Sequence, residues 1–203
     1  NKAQEYTDSL KEGNIKPIFT KSNKVPDEVD TLNDSFYSLD KELHDYVNKV
    51  KEVTTSEEKI KAELSLATKI QISALPKDTI HNGNVSLSAF ISPAKEVGGD
   101  LYGYEELADS KIYLFVGDVS GKGVPAALFM MQAKTLLQEN LSKEELVRAV
   151  SRTNAKLLEE NSEGFFLTAF IGIFDIKTGE LHFINAGHEP AAISHDGNYH
   201  LLK

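Results

Sequence analysis

Residues 96–131 read EVGGDLYGYEELADSKIYLFVGDVSGKGVPAALFMM, and the fold turns on this stretch. Lys111–Val116 is a compact apolar run, which predicts a buried strand leading to Asp118. Pro125 sits where a first helical residue belongs, and Ala126–Leu137 is apolar nearly all round, which predicts a buried helix. Between them lies a turn rich in glycine. Two Gly-Asp steps, Asp100 and Asp118, stand at the edges of the apolar stretch. Each reads either as a tight turn in a sheet or as half of a carboxylate metal site.

Downstream, Ser142 with Glu145 forms a capping box that predicts a second helix through about Glu159. Phe165–Ile176 and Glu180–Asn185 read as strands joined by KTGE, a short hairpin signal. Ala191–Ser194 and Tyr199–Leu202 flank HDGN, another such signal. Upstream, Val85, Leu87, Ala89 and Ile91 alternate with polar residues as a half-buried strand should. The order of strands, two helices, then strands predicts an α+β fold with antiparallel sheets rather than a doubly wound nucleotide fold.

The first third has a different period. Val29, Leu32, Phe36, Leu39, Leu43, Tyr46, Val50 and Val53 alternate spacings of three and four, the seam of a coiled coil or helical bundle. Pro26, Asp27 and Glu28 suit the start of that helix, which at about 1.5 Å per residue would be about 40 Å long. At TTSEEK, Thr55 and Glu58 either restart a helix as a capping box or lie on the solvated side of a continuous one. Ile60, Leu64, Ala67, Ile70 and Ala74 carry an apolar face on to Pro76, which discourages further helix. A stripe this narrow needs a partner. Self-association into a homodimer is the expectation, with packing onto the same chain's globular part as the alternative.

Composition bounds the function. The 203 residues carry a formal charge of −9, which argues against nucleic acid as a partner because phosphate contacts need clustered Lys and Arg. No cysteine is present, so disulfides, thiolate metal sites and cysteine nucleophiles are excluded together, and a reducing cytoplasm is the compartment this fits. No apolar run reaches the roughly 18 residues needed to span a bilayer. The chain starts at Asn1 with nothing like a signal peptide, and is expected to be a piece of a longer protein.

The chemistry-bearing stretches are GGD and GDVSGKG. An Asp on a glycine turn at a strand end projects its carboxylate clear of the sheet, and two such groups could share hard cations. The glycines of VSGKGVP permit unusual backbone angles, and the following helix N-terminus offers N–H groups to an anion. Metal beside an anion loop suits phosphoryl hydrolysis without a protein nucleophile. The stretch is not a P-loop, since its lysine is followed by Gly123. The six histidines form no H-E-x-x-H pair, and no G-x-S-x-G elbow occurs. His188, in NAGHEP, reads as a hydrogen bonder that stabilises a turn.

Four motifs in order carry a family resemblance: ATKIQISALP, PAKEVGGDLY, GDVSGKGVPAALFM and FLTAFIGIFDIKTGELHFINAGHEP. Over about residues 67–203 the chain resembles the bacterial PPM-type serine/threonine phosphatases (protein phosphatase 2C-like) of the SpoIIE/RsbU branch. The resemblance implies an antiparallel β-sandwich flanked by helices and a centre of two Mn²⁺ or Mg²⁺ ions. It implies that Asp118 bridges the metals with the Val119 carbonyl beside it, and that Asp100 is the other early acidic residue of the site. Ser120, Lys122 and Gly123 would lie on the phosphate side. The implied reaction is dephosphorylation of phosphoserine or phosphothreonine on a protein, in this branch typically an anti-sigma-factor antagonist. Gly103 departs from the branch pattern, which often has Asp there. Asp100 and Asp118 supply at most −2 against the +4 of two divalent ions, so further ligands are expected beyond Lys203, and the fragment alone is expected to be inactive.

SLKEGNI and PDEVDTLNDSFYSLDKELHDYV resemble the latter half of a HAMP linker. The implied layout is a partial HAMP-like region at 1–54, a linker helix at 55–76 and a phosphatase domain at 77–203. It further implies a cytoplasmic module whose parent is anchored in the inner membrane through a segment before Asn1 and is controlled by an upstream sensor. The reading from another class is a non-catalytic dimeric scaffold whose degenerate phosphatase domain binds a phosphoprotein.

Overall fold

The nine residues Lys111–Val119 alternate between two environments, and this alternation builds the fold around them. The computed structural model describes residues 28–83, 85–92, 97–159 and 161–202, which divide into two compact units at the boundary between Ala62 and Glu63. In chain order the elements are helix α1 (Glu28–Ser73), β1 (Ile80–Asn82), β2 (Val85–Leu87), β3 (Leu101–Leu107), β4 (Lys111–Val119), α2 (Val124–Leu141), α3 (Leu146–Glu159), β5 (Leu167–Asp175), β6 (Leu181–Ala186), β7 (Ala191–His195) and β8 (Asn198–Leu202). Strands β3-β4-β5-β6 form one antiparallel sheet in that order. The α+β, antiparallel expectation is met.

One face of this sheet carries the core of the second unit. Tyr113, Phe115 and Val119 point to it from β4, and Leu101, Ala169 and Ile171 from its neighbours. They meet Ala126, Met130, Ala133 and Leu137 of α2 and Ala149 of α3, all nearly inaccessible. Each large side chain so buried contributes about 1.5–3 kcal/mol. Helix α2 packs between the sheet and α3, but its outer side is open, with Leu128 67% exposed, so it is buried on part of its circumference rather than all round as the sequence predicts. Where α2 and α3 cross, Asn140 Nδ2 donates to Thr153 Oγ1 at 2.9 Å, which satisfies two buried polar groups.

The opposite face holds Tyr102 and Tyr104, stacked with centroids 6.2 Å apart, and the Phe170–Phe183 pair at 5.1 Å. The tyrosine hydroxyls donate to the carbonyls of Pro76 and Asp78, each at 2.9 Å, which ties the segment after α1 to β3. Val116 on this face is 44% exposed. Among the described residues the remaining strands form two separate two-stranded ladders, β1-β2 and β7-β8, rather than a second continuous sheet. The β7-β8 turn has both Asp196 and Gly197 at positive φ, 47° and 78°, as its Asp-Gly pair predicts. In the KTGE turn, Asp175 Oδ1 accepts the N–H groups of Lys177 and Thr178.

Several local expectations need correction. The predicted strand over Val85–Ile91 forms a ladder only at Val85–Leu87. Ser142 does not cap α3: its hydroxyl donates back to the Gln138 carbonyl at 2.8 Å and finishes α2 instead. The side chain that should open one helix instead adds a second hydrogen bond to a carbonyl of the one before it, which already accepts the Ser142 N–H at 3.2 Å. Helix α1 runs unbroken for 46 residues through the TTSEEK stretch, which decides between the two readings of that site. Thr54 and Thr55 bond back to the carbonyls of Val50 and Lys51, each at 2.9 Å.

Of the heptad seam, Leu32, Phe36, Leu39, Tyr46, Val50 and Val53 are exposed in the single chain, Tyr46 at 67%. Ser9–Ile15, Pro26, Asp27 and Pro93–Glu96 lie outside the described residues, so the HAMP-like motif and the first four residues of PAKEVGGDLY are not placed. No helix among the described residues is long and apolar enough to cross a membrane.

Gly103 has a steric reason. It pairs with Phe115, and a Cβ added there would lie within that ring, so the Phe115 side chain occupies the place of an acidic residue at 103. Gly103→Ala is expected to lower stability by about 1–3 kcal/mol, as overpacking does, seen as a lower urea midpoint. An unchanged midpoint would refute this.

Candidate active site

Asp118 is the penultimate residue of β4, and Asp100 directly precedes β3. Because Leu101 pairs with Gly117, the antiparallel register brings Asp100 beside the Asp118–Val119 strand end. The approach is fastened by backbone: Val119 N–H donates to the Gly99 carbonyl at 3.3 Å. Gly99 permits it, since a Cβ there would sit 2.7 Å from the Val119 oxygen. From the other side Gln71 of α1 clasps the loop. Its Nε2 donates to the Gly98 carbonyl at 2.7 Å, and its Oε1 accepts the Gly98 N–H at 3.2 Å. Gln71 is buried, and this paired bond satisfies both ends of its amide.

After Val119 the chain is pinned to the start of β5. Ser120 N–H donates to the Phe166 carbonyl at 2.8 Å, and Ser120 Oγ accepts the Phe166 N–H at 3.0 Å. Gly121 and Gly123 then take φ of 94° and 75°, the left-handed region the sequence reserves for them. Gly123 has no side chain with which to cap α2, so the first N–H groups of that helix remain available to solvent or an anion.

A cavity of about 280 Å³ opens here, lined by Gln71, Asp100, Asp118, Gly121, Lys122 and Gly123 among others. The two carboxylates, Lys122 and Gly123 therefore share one cleft. Ser120 does not line it, and its hydroxyl is engaged by Phe166. Val119 does not line it either, and its side chain is buried.

Burial raises the Asp100 carboxyl above the ordinary carboxylate range. The charge of Asp118 and a hydrogen bond with it add to that rise, and His188 opposes it. Two like charges held this close favour a shared proton or a cation. The donors are all oxygen, which fits a hard divalent ion in kind. Among the described residues, no group of three or more His, Cys, Asp or Glu is arranged around one point, so these donors alone do not enclose an ion.

Three participants were not foreseen as part of the site. Gln71 is a polar residue beside the apolar stripe of α1. Thr168 lies directly opposite Asp118 in β5, and His188 reaches Thr168 from the loop after β6. His188 does stabilise its turn, through paired bonds between its backbone and the Asn185 side chain. The only sequence signal was Asn three residues before His in NAGHEP.

Fold and site together define a PPM-type, protein phosphatase 2C-like domain. Residues 108–203 match the family described as Stage II sporulation protein E (SpoIIE). The chain is 32% identical over 148 residues to phosphoserine phosphatase RsbP of Bacillus subtilis, covering 70% of this chain and 36% of that protein. It is 30% identical over 206 aligned residues to protein IcfG of Synechocystis sp., covering 87% and 32% respectively. The chain thus spans about a third of the length of these relatives. Among solved structures, the RsbU and RsbW domains of Rv1364c from Mycobacterium tuberculosis superpose with a TM-score of 0.50 at 28% identity, over 55% of this chain and 32% of that one. The SiaA-PP2C domain of Pseudomonas aeruginosa shares the fold with a TM-score of 0.50 at 24% identity, over 64% and 54%. The chain belongs to the SpoIIE/RsbU branch of PPM-type phosphatases.

The raised Asp100 carboxyl has a thermodynamic consequence. A folded-state acid pKa above its unfolded value means the folded state binds more protons, so stability falls as pH rises through the interval between the two. In chelator, the protein is expected to lose stability as pH rises above the ordinary Asp range. Asp100→Asn should remove that part of the slope and be the more stable form at pH 7. Urea melts from pH 4 to 7 measure it, and identical pH slopes for the two proteins would contradict it.

Proposed function

We propose that this chain carries the catalytic part of a metal-dependent serine/threonine protein phosphatase in a bacterial signalling pathway. The convergence of Asp100, Asp118 and the Gly121–Gly123 loop on one cavity carries the reading. Asp118, Asp100 and the Val119 carbonyl are the groups that would hold Mn²⁺ or Mg²⁺. Bound metal would supply a water acidic enough to attack phosphorus at neutral pH. Lys122, Gly123 and the N–H groups at the start of α2 would hold the phosphoryl oxygens, leaving Asp100 and Asp118 free of the anion. The site needs no protein nucleophile.

A phosphoserine or phosphothreonine protein is the substrate class, since a similar protein is named a phosphoserine phosphatase. A small anti-sigma-factor antagonist is the substrate we favour, supported by likeness to a chain that pairs an RsbU with an RsbW domain. We place a HAMP-like region at 1–54, a linker helix at 55–76 and the phosphatase domain at 77–203, with an upstream sensor acting through α1. The exposed seam from Leu32 to Val53 supports a homodimer formed along α1. A second reading, a scaffold that binds a phosphoprotein without hydrolysing it, draws support from the small number of carboxylates converging on the cavity.

In the full-length protein, Asp118→Asn is expected to cut Mn²⁺- or Mg²⁺-dependent phosphate release from a phosphoserine protein by at least about 100-fold, because even residues that only orient metal ligands are worth 10–100-fold. Wild-type protein that binds the phosphoprotein but releases no phosphate would favour the scaffold. The chain itself is expected to sediment as a dimer, and as a monomer when Phe36 and Leu43 are both replaced by Asp. A wild-type monomer at high concentration would refute the seam.

A further inference from the structure

Four neighbouring strands each bring one polar side chain to the same end of the sheet. Asp100 stands just before β3, Asp118 in β4, Thr168 in β5 and His188 just after β6. Thr168 lies directly opposite Asp118. Strand β6 flanks β5 only from Phe170 to Phe174, so the part of β5 that supports Asp118 lacks a paired strand on its other side. The loop after β6 takes that place. Ala169 bridges Gly187, and Asn185 closes the turn, its Oδ1 accepting the His188 N–H at 2.8 Å and its Nδ2 donating to the His188 carbonyl at 3.0 Å.

This turn holds the imidazole with Nδ1 3.0 Å from Thr168 Oγ1. The same hydroxyl donates to the Asp118 carbonyl at 3.4 Å. A hydroxyl has one proton. If Thr168 gives it to Asp118, it must accept the Nδ1–H of His188. A continuous chain then runs from the His188 ring through Thr168 to the backbone of Asp118.

We propose that His188 is a positioning residue for Asp118, acting through the Thr168 hydroxyl. It buttresses the unflanked start of β5 and so fixes the strand end from which the Asp118 carboxylate projects. Its importance for catalysis rests on the metal reading of Asp118 above, whereas the hydrogen-bonded chain stands without it. An imidazole acting instead through Nε2 on substrate would not need Thr168.

The amide chemistry of Asn and Gln separates these roles, because Asn places its nitrogen near the position of Nδ1 and Gln near that of Nε2. Hydrogen exchange of the metal-free chain should show the segment 117–121 exchanging roughly five- to tenfold faster in Thr168→Val and in His188→Gln, about the worth of one hydrogen bond. His188→Asn should remain near wild type, and the double variant T168V/H188Q should be no faster than either single one. In the full-length protein, titration with Mn²⁺ alone should show affinity reduced in the same order. Thr168→Val preserves shape and folding, so it decides the matter even if a His188 variant loosens the whole domain. Unchanged exchange at 117–121 in Thr168→Val overturns the proposal, as do additive effects, or protection by Gln but not Asn. Coupled exchange with no Mn²⁺ binding by wild type leaves the positioning role standing and overturns the metal reading instead.

Discussion

The site depends on holding two carboxylates together against their own repulsion. Asp100 and Asp118 would separate if each sat on a free loop, since at a few ångströms like charges disfavour one another by an amount water only partly screens. Here neither can retreat. The Leu101–Gly117 register fixes one and the Val119–Gly99 hydrogen bond ties the other's neighbour to the same place. Ser120 and Phe166 pin the chain beyond, and Gln71 holds Gly98 from the helix side. Burial first, and the Asp118 charge after it, raise the Asp100 carboxyl.

That stiffness comes from the helix-covered face of the sheet. Val119 is 1% exposed, so while Asp118 projects into the cleft its successor is anchored among α2 side chains. Alternation along β4 therefore does two things at once: odd-numbered residues from Tyr113 to Val119 bind the core, and Asp118 is delivered to the other side. A slip of one residue would bury the carboxylate and expose the valine. The core thus selects the register that the site requires.

Much of this was legible from residue order. Lys111–Val116 as a strand, α2 as a helix and the Asp-Gly turn at 196–197 follow from local pattern and formed where hydrophobic period and turn chemistry agree, although Val116 and Leu128 are left exposed rather than buried. The misses have a common cause. Ser142 and the stretch after Leu87 had sound local signals, but a carbonyl of the preceding helix and the absence of a flanking strand decided them. The site followed the same rule. Asp100, Asp118 and the glycine loop are visible because the sequence places each on a turn, whereas nothing local shows that the Ser120 hydroxyl accepts the Phe166 N–H and lies off the cavity wall. Gln71 and Thr168 are invisible until pairing brings positions 27 and 50 residues apart into contact.

The same geometry holds an acidic pair in a chain of net charge −9, where among the described residues no salt bridge to Lys or Arg engages Asp100 or Asp118. Lys122 lines the cleft, but it lies on a loop whose glycines, rather than ion pairs, set its path. An Arg or Lys buried against Asp118 would remove the repulsion and with it the attraction for a divalent ion. Leaving the pair uncompensated costs stability, and under the proposed metal reading a bound cation would offset that cost, because anything that binds only the folded form adds its binding free energy to stability. The hydrogen bonds from Gln71, Gly99 and Thr168 make this arrangement tenable: they hold the strain in place without neutralising it.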